Sequence, residues 1–191
     1  MPSVCFYFQV HQPMRLRHYT VFDKQNDYFD EHKNATICKK VAHKCYLPAN
    51  RLLLELIRKH QGKFKIAYSI TGVLLEQFEA FCPEVMSTFD ALARTGCVEF
   101  LGETYYHSLS FIYARDEFKE QVKKHTRAIE YLFGQTPRVF RNTELIYNNE
   151  LAEAVDSMGQ FKGIITEGAD HILGHLSPNF VYRPHGDTQL K

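Results

Sequence analysis

The chain alternates short apolar runs with longer stretches in which apolar residues return every three or four positions. Five runs read as strands because they are short and rich in β-branched and aromatic residues: Val4 to Val10, Phe64 to Ile70, Val98 to Leu101, Val139-Phe140, and Gly163 to Thr166. The first of these is expected to be buried. Helical spacing marks Leu47 to Lys59, where Leu52, Leu53, Leu56 and Ile57 share a face. It returns from Thr71-Gly72 through Phe81, from Glu84 to Arg94, and from about Glu117 to Phe133, with Phe118, Val122, Ile129 and Leu132 in step. A further helix carries Leu151, Val155 and Met158, with Asn148 or Asn149 as its cap. Gly62, Gly96, Gly134 and Gly159 stand where helices should stop. From His11 to about Asn34 neither period holds, and the segment reads as polar and aromatic.

Strand alternating with helix predicts an α/β fold with a parallel sheet and right-handed crossovers. Five such strands fit an open doubly wound sheet or part of a barrel, and periodicity does not separate the two. Each run is followed by polar or reactive residues: His11, then Ser69 and Thr71, then Glu103, Glu144 and Glu167. Parallel α/β folds build their sites at the C-terminal ends of strands. Three carboxylates and a histidine are therefore expected on one rim.

Composition narrows the function classes. Lys plus Arg is 23 and Asp plus Glu is 22, a balance that gives no electrostatic case for nucleic acid or an anionic membrane. No apolar run approaches the ~20 residues of a membrane span. The start lacks a basic segment followed by an apolar one, so no signal peptide is expected. The five cysteines form no C-x-x-C, and Cys38 and Cys45, seven apart in a helix, would lie ~10 Å apart along its axis. All five read as reduced thiols, mostly buried, of a cytoplasmic protein.

Three loops carry candidate chemistry. His11-Gln12-Pro13 follows the first strand, and Pro13 holds Gln12 extended so that His11 points from the strand end. Gly102-Glu103-Thr104-Tyr105-Tyr106-His107-Ser108-Leu109 follows the third. It gathers an acid, two phenols, a histidine and hydroxyls, a density suited to a polyhydroxylated ligand. Arg141-Asn142-Thr143-Glu144-Leu145-Ile146-Tyr147 follows the fourth. Arg141 and Asn142 are placed to orient the Glu144 carboxylate, as a glycosidase nucleophile requires. Each loop also has a plainer reading, as a capped or solvated turn with core tyrosines and a structural Arg–Glu pair. His171 and His175 have the spacing of a helical metal pair, but Ile172 stands where a metalloprotease motif has Glu, and Gly174 and Pro178 oppose a helix.

Taken together and in order, these loops resemble the first three sequence signatures of glycoside hydrolase family 57, closest to its α-amylase-like branch. The resemblance implies an incomplete (β/α)7 barrel, of which residues 1–191 would be the N-terminal portion, ending before the later strands and a helical region. It implies a retaining α-glucan hydrolase or transferase that needs no metal or other cofactor and acts on α-glucan or maltooligosaccharide. Glu144 would be the nucleophile, while His11, Gln12, Glu103, Tyr106, His107 and Arg141 would bind substrate. The family's general acid belongs to a fourth signature, so this stretch alone is expected to be inactive and aggregation-prone. Two other readings are a metal-dependent polysaccharide deacetylase on a related barrel and a non-catalytic glucan-binding module. The deacetylase usually needs an Asp pair after the first strand, where this chain has Val10-His11-Gln12.

Overall fold

A computed structural model describes residues 3–186 and 188–190. The chain divides into two compact units, residues 1–99 and 100–191.

In the first unit, β1 (Tyr7–Val10) is followed by α1 (Glu31–Val41), a π-helical turn (Ala42–Tyr46) and α2 (Leu47–Lys59). These three helical pieces form one run, since the junction residues Val41, Ala42, Tyr46 and Leu47 all keep right-handed helical dihedrals. Asp30 starts the run by accepting the Lys33 backbone N–H at 2.9 Å. Pro48 explains the π turn. It has no N–H to donate into the preceding turn, and the Leu47 N–H reaches back five residues to the Ala42 carbonyl.

β2 (Ile66–Ile70) pairs in parallel with β1, Tyr7 opposite Ala67 and Val10 opposite Ile70. Next come α3 (Gly72–Phe81), α4 (Pro83–Ala93) and β3 (Val98–Phe100), in a sheet of order β1-β2-β3. The expectation of a buried first strand is corrected. β1 lies at the edge of the sheet, and only Val10 is buried, while Phe6 and Phe8 are exposed. The core of this unit gathers Leu53, Ile57, Tyr68, Leu74, Phe78, Phe89 and Leu92, with Phe78 and Phe89 stacked at 6.0 Å.

The second unit holds α5 (Ser110–Tyr113), α6 (Arg115–Phe133), β4 (Val139–Arg141), a 3₁₀ turn (Thr143–Leu145), α7 (Asn149–Asp156), β5 (Gly163–Ile165) and α8 (Asp170–Leu173). β4 and β5 pair in parallel, Phe140 opposite Ile164. Gly102 bridges β4 in the same sense, donating to the Val139 carbonyl and accepting from the Arg141 N–H, both at 2.8 Å. Phe111, Phe118, Phe140 and Phe161 meet edge to face in sequence at 5.3, 5.8 and 5.3 Å, a geometry that aligns ring edges with ring faces. Asn148 caps α7 by accepting the Leu151 N–H at 2.8 Å, and Gly134 ends α6 in the left-handed region. Among the described residues no helix is long and apolar enough to cross a membrane.

Candidate active site

The loop beyond Gly102 folds on itself. The His107 N–H donates to the Thr104 carbonyl at 3.2 Å, and the Ser108 N–H donates to Thr104 Oγ1 at 3.0 Å. Residues from the end of β4 lace this turn in place. Thr143 Oγ1 donates to the Ser108 carbonyl at 2.9 Å and lies 3.1 Å from Thr104 Oγ1. With Thr143 donating onward, Thr104 supplies the proton between the two hydroxyls. Thr104 and Thr143 are both buried.

After Thr143 the backbone turns sharply. Glu144 has φ 53° and ψ 20°, and Leu145 has φ 59°. Two successive L-residues in the left-handed region cost about 1–2 kcal/mol each. The turn is held by the Leu145 N–H to the Asn142 carbonyl at 3.0 Å and by Asn142 Nδ2 to the Ile146 carbonyl at 2.9 Å. His107 is also left-handed, at φ 55°. Strain of this kind concentrates at functional sites, where surrounding contacts sustain it.

The two turns bring three ionisable groups together. His107 Nε2 lies 3.0 Å from Glu144 Oε1, and His107 Nδ1 lies 3.7 Å from Glu103 Oε2. The carboxylates differ sharply in exposure: the Glu144 side chain is 70% exposed and that of Glu103 is 0% exposed. Burial acts to lower the His107 pKa, and the nearby Arg141 acts in the same direction. Hydrogen bonding to Glu103 and Glu144 outweighs both, and the imidazole is raised above its ordinary value. A protonated His107 donates toward both acids at once.

The other anticipated residues have definite places. Arg141 is buried, and Asn142 turns to the Ile146 carbonyl. Tyr106 is exposed, with its ring 4.5 Å from the Lys124 ammonium, which also sits 3.8 Å over Tyr105 and donates to the Tyr106 hydroxyl. In the first unit, His11 Nδ1 lies 2.9 Å from Thr71 Oγ1, and Gln12 accepts from Arg15 through its side chain and from Gln77 through its carbonyl, both at 2.8 Å. Glu167 is exposed. His171 falls in the four-residue α8, which ends at Gly174 (φ 58°) before His175. Among the described residues no three His, Cys, Asp or Glu side chains gather as a metal site would require.

The model of glycosyl hydrolase family 57 matches residues 5–190. The chain belongs to this family. A Methanocaldococcus jannaschii protein named "Putative alpha-amylase" is 44% identical over 187 residues, covering 94% of this chain and 39% of its own length. The chain thus spans well under half of that relative. The 4-alpha-glucanotransferase of Thermococcus litoralis shares the fold at TM-score 0.68 and 16% identity, over 91% of this chain and 23% of that one. A family 57 branching enzyme of Thermococcus kodakaraensis does so at TM-score 0.58 and 15% identity, over 84% and 38%. These are (β/α)7 barrel enzymes, and this family 57 chain carries part of their barrel fold.

The residues that lace the loops were not singled out from sequence. Thr104, Ser108 and Thr143 sit inside the quoted motifs, but hydroxyls are too common there to mark. Gln121 and His125 left a clearer signal. They are polar residues one helical turn apart on the face of α6 that carries Phe118, Val122 and Ile129, and both are buried.

Proposed function

We propose that this chain carries the nucleophile of a retaining α-glucan hydrolase or transferase, and that Glu144 is that nucleophile. One observation carries the reading: a largely exposed carboxylate on a strained turn, fixed through a single imidazole to a second, fully buried carboxylate. Glu144 would attack the anomeric carbon and form a glycosyl ester, which water or an acceptor sugar then cleaves. Glu103, buried beside His107, would orient the imidazole and through it support the substrate subsite. Tyr106 and His107 would meet sugar C–H faces and hydroxyls, while Arg141 acts on the array from its buried position. His11 and Gln12 offer polar groups at the end of β1. The partner acid is expected in a later signature of the family, and no step requires a metal or cofactor. Maltooligosaccharides or longer α-glucans are the substrates proposed. The five unpaired thiols support a cytoplasmic setting.

The test is Glu144→Gln in the whole enzyme. The amide keeps the shape but cannot form the ester. Turnover of a maltooligosaccharide should fall more than about 10³-fold, as loss of a covalent nucleophile does, with glucan affinity retained. A variant that keeps about a tenth of the original rate would reassign the nucleophile.

A further inference from the structure

We propose that Gln121, held by Glu117, is a positioning residue that sets the 106–108 turn and thereby the His107–Glu144 contact. Its catalytic meaning rests on the function proposed above, whereas the contact it sets is measurable without any substrate.

The argument begins with donor and acceptor accounting. Gln121 Oε1 accepts the Tyr106 backbone N–H at 3.4 Å and the Ser108 hydroxyl at 2.9 Å. Its Nε2 donates to Glu117 Oε1 at 2.8 Å. The amide orientation follows from its partners, because the Tyr106 N–H can only donate and the Glu117 carboxylate only accept. Ser108 has a single proton. With that proton on Gln121, the Ser110 hydroxyl, 2.8 Å away, donates to Ser108 in turn.

Gln121 is 6% exposed on the inner face of α6, between Phe118 and Val122. A buried amide that lost these partners would pay for its desolvation. The bonds it makes fall on the residues flanking His107, which stands between them at φ 55°. A left-handed residue without glycine's freedom relaxes unless its neighbours are held. Thr143 holds Ser108 from β4's side, and Gln121 holds Tyr106 and Ser108 from the helix. His107 is thereby left with Glu103 on one nitrogen and Glu144 on the other, and with Arg141 acting on its charge.

The requirement is specific. Glu at 121 would still accept from Tyr106 and Ser108 but would face Glu117 as a second carboxylate. Exchanging the pair, Glu117→Gln with Gln121→Glu, restores every bond with the charge moved one turn along the helix.

The experiment is an NMR pH titration of the His107 imidazole carbon and proton signals in the whole enzyme, assigned with His107→Gln. Gln121→Leu should move the His107 midpoint down toward the ordinary histidine value. Gln121→Glu should also displace it, and the exchanged pair should return it to the original position. If Gln121→Leu does not fold, the isosteric Gln121→Glu and the exchanged pair make the same comparison. An unchanged midpoint in the single variants, or an exchanged pair no better than Gln121→Glu, would overturn the proposal. Glucan turnover of Glu144→Gln decides the nucleophile separately, so the two failures are distinguishable.

Discussion

His107 joins three levels of the site in one side chain: a strained backbone, a buried acid below and an exposed acid above. It also makes stability depend on pH in a definite direction. Its pKa in the folded protein is raised, with burial acting against the shift and the two carboxylates outweighing it. The folded state therefore holds this proton more tightly than the unfolded chain. The stabilisation is complete below the unfolded histidine value of about 6.5 and is lost as pH rises through the folded value. His107→Gln should consequently cost more stability at acid pH than at alkaline pH. Urea midpoints of both proteins at about pH 6 and about pH 9 measure this, and an equal gap at the two values would show that the array does not bind the proton. The sequence made His107 and Glu144 visible as candidates but not their contact, which depends on left-handed turns at residues whose types give no sign of them.

At the scale of elements, Gly102 shows why the loop after β3 opens on glycine. Its backbone pairs with both Val139 and Arg141. A Cβ placed there would lie 2.5 Å from Phe161 Cε1 and 2.8 Å from its Cζ. Phe161 is buried in the phenylalanine series of the second unit, so its ring cannot simply swing away. Gly102→Ala should destabilise by about 1–3 kcal/mol, the range for overpacking a filled core. A thermal midpoint within error of the original would show that the ring yields freely. The elements themselves were largely legible. α3, α4 and α6 begin and end within two residues of their expected bounds, because apolar spacing marks each and a breaker follows it: Pro83 after α3, Gly96 after α4 and Gly134 after α6. α1 was hidden, since only Asn34 and Cys38 of its residues are buried and a helix that covers so little core leaves no apolar period. Four strands came out shorter than their apolar runs, as Val4 to Phe6 lie outside the β1 register, while β4 runs one residue further, through Arg141.

For the molecule as a whole, cysteine placement makes one unit separately observable. All five thiols, at positions 5, 38, 45, 82 and 97, fall in residues 1–99. Cys5 and Cys45 are exposed, and Cys38, Cys82 and Cys97 are buried. Cys38 and Cys82 sit with their sulfurs 3.6 Å apart, where α1 passes the junction of α3 and α4. Burial first, then the neighbouring Cys82 thiol, pushes Cys38 up to about 12, and burial also raises Cys82. The thiolate is the reactive form, so at about pH 8 Cys38 would scarcely be poised to react even if reagent reached it. Cys97 is shielded differently, its sulfur 3.6 Å from the Gly62 carbonyl. A small disulfide reagent should therefore modify two thiols at once under native conditions. The other three should react only as the first unit opens, together and at the rate of that opening. Counting modified sites by mass spectrometry against time, with and without urea, checks this. Three or more fast sites would mean that the first unit opens locally and does not form a closed core around Cys38, Cys82 and Cys97.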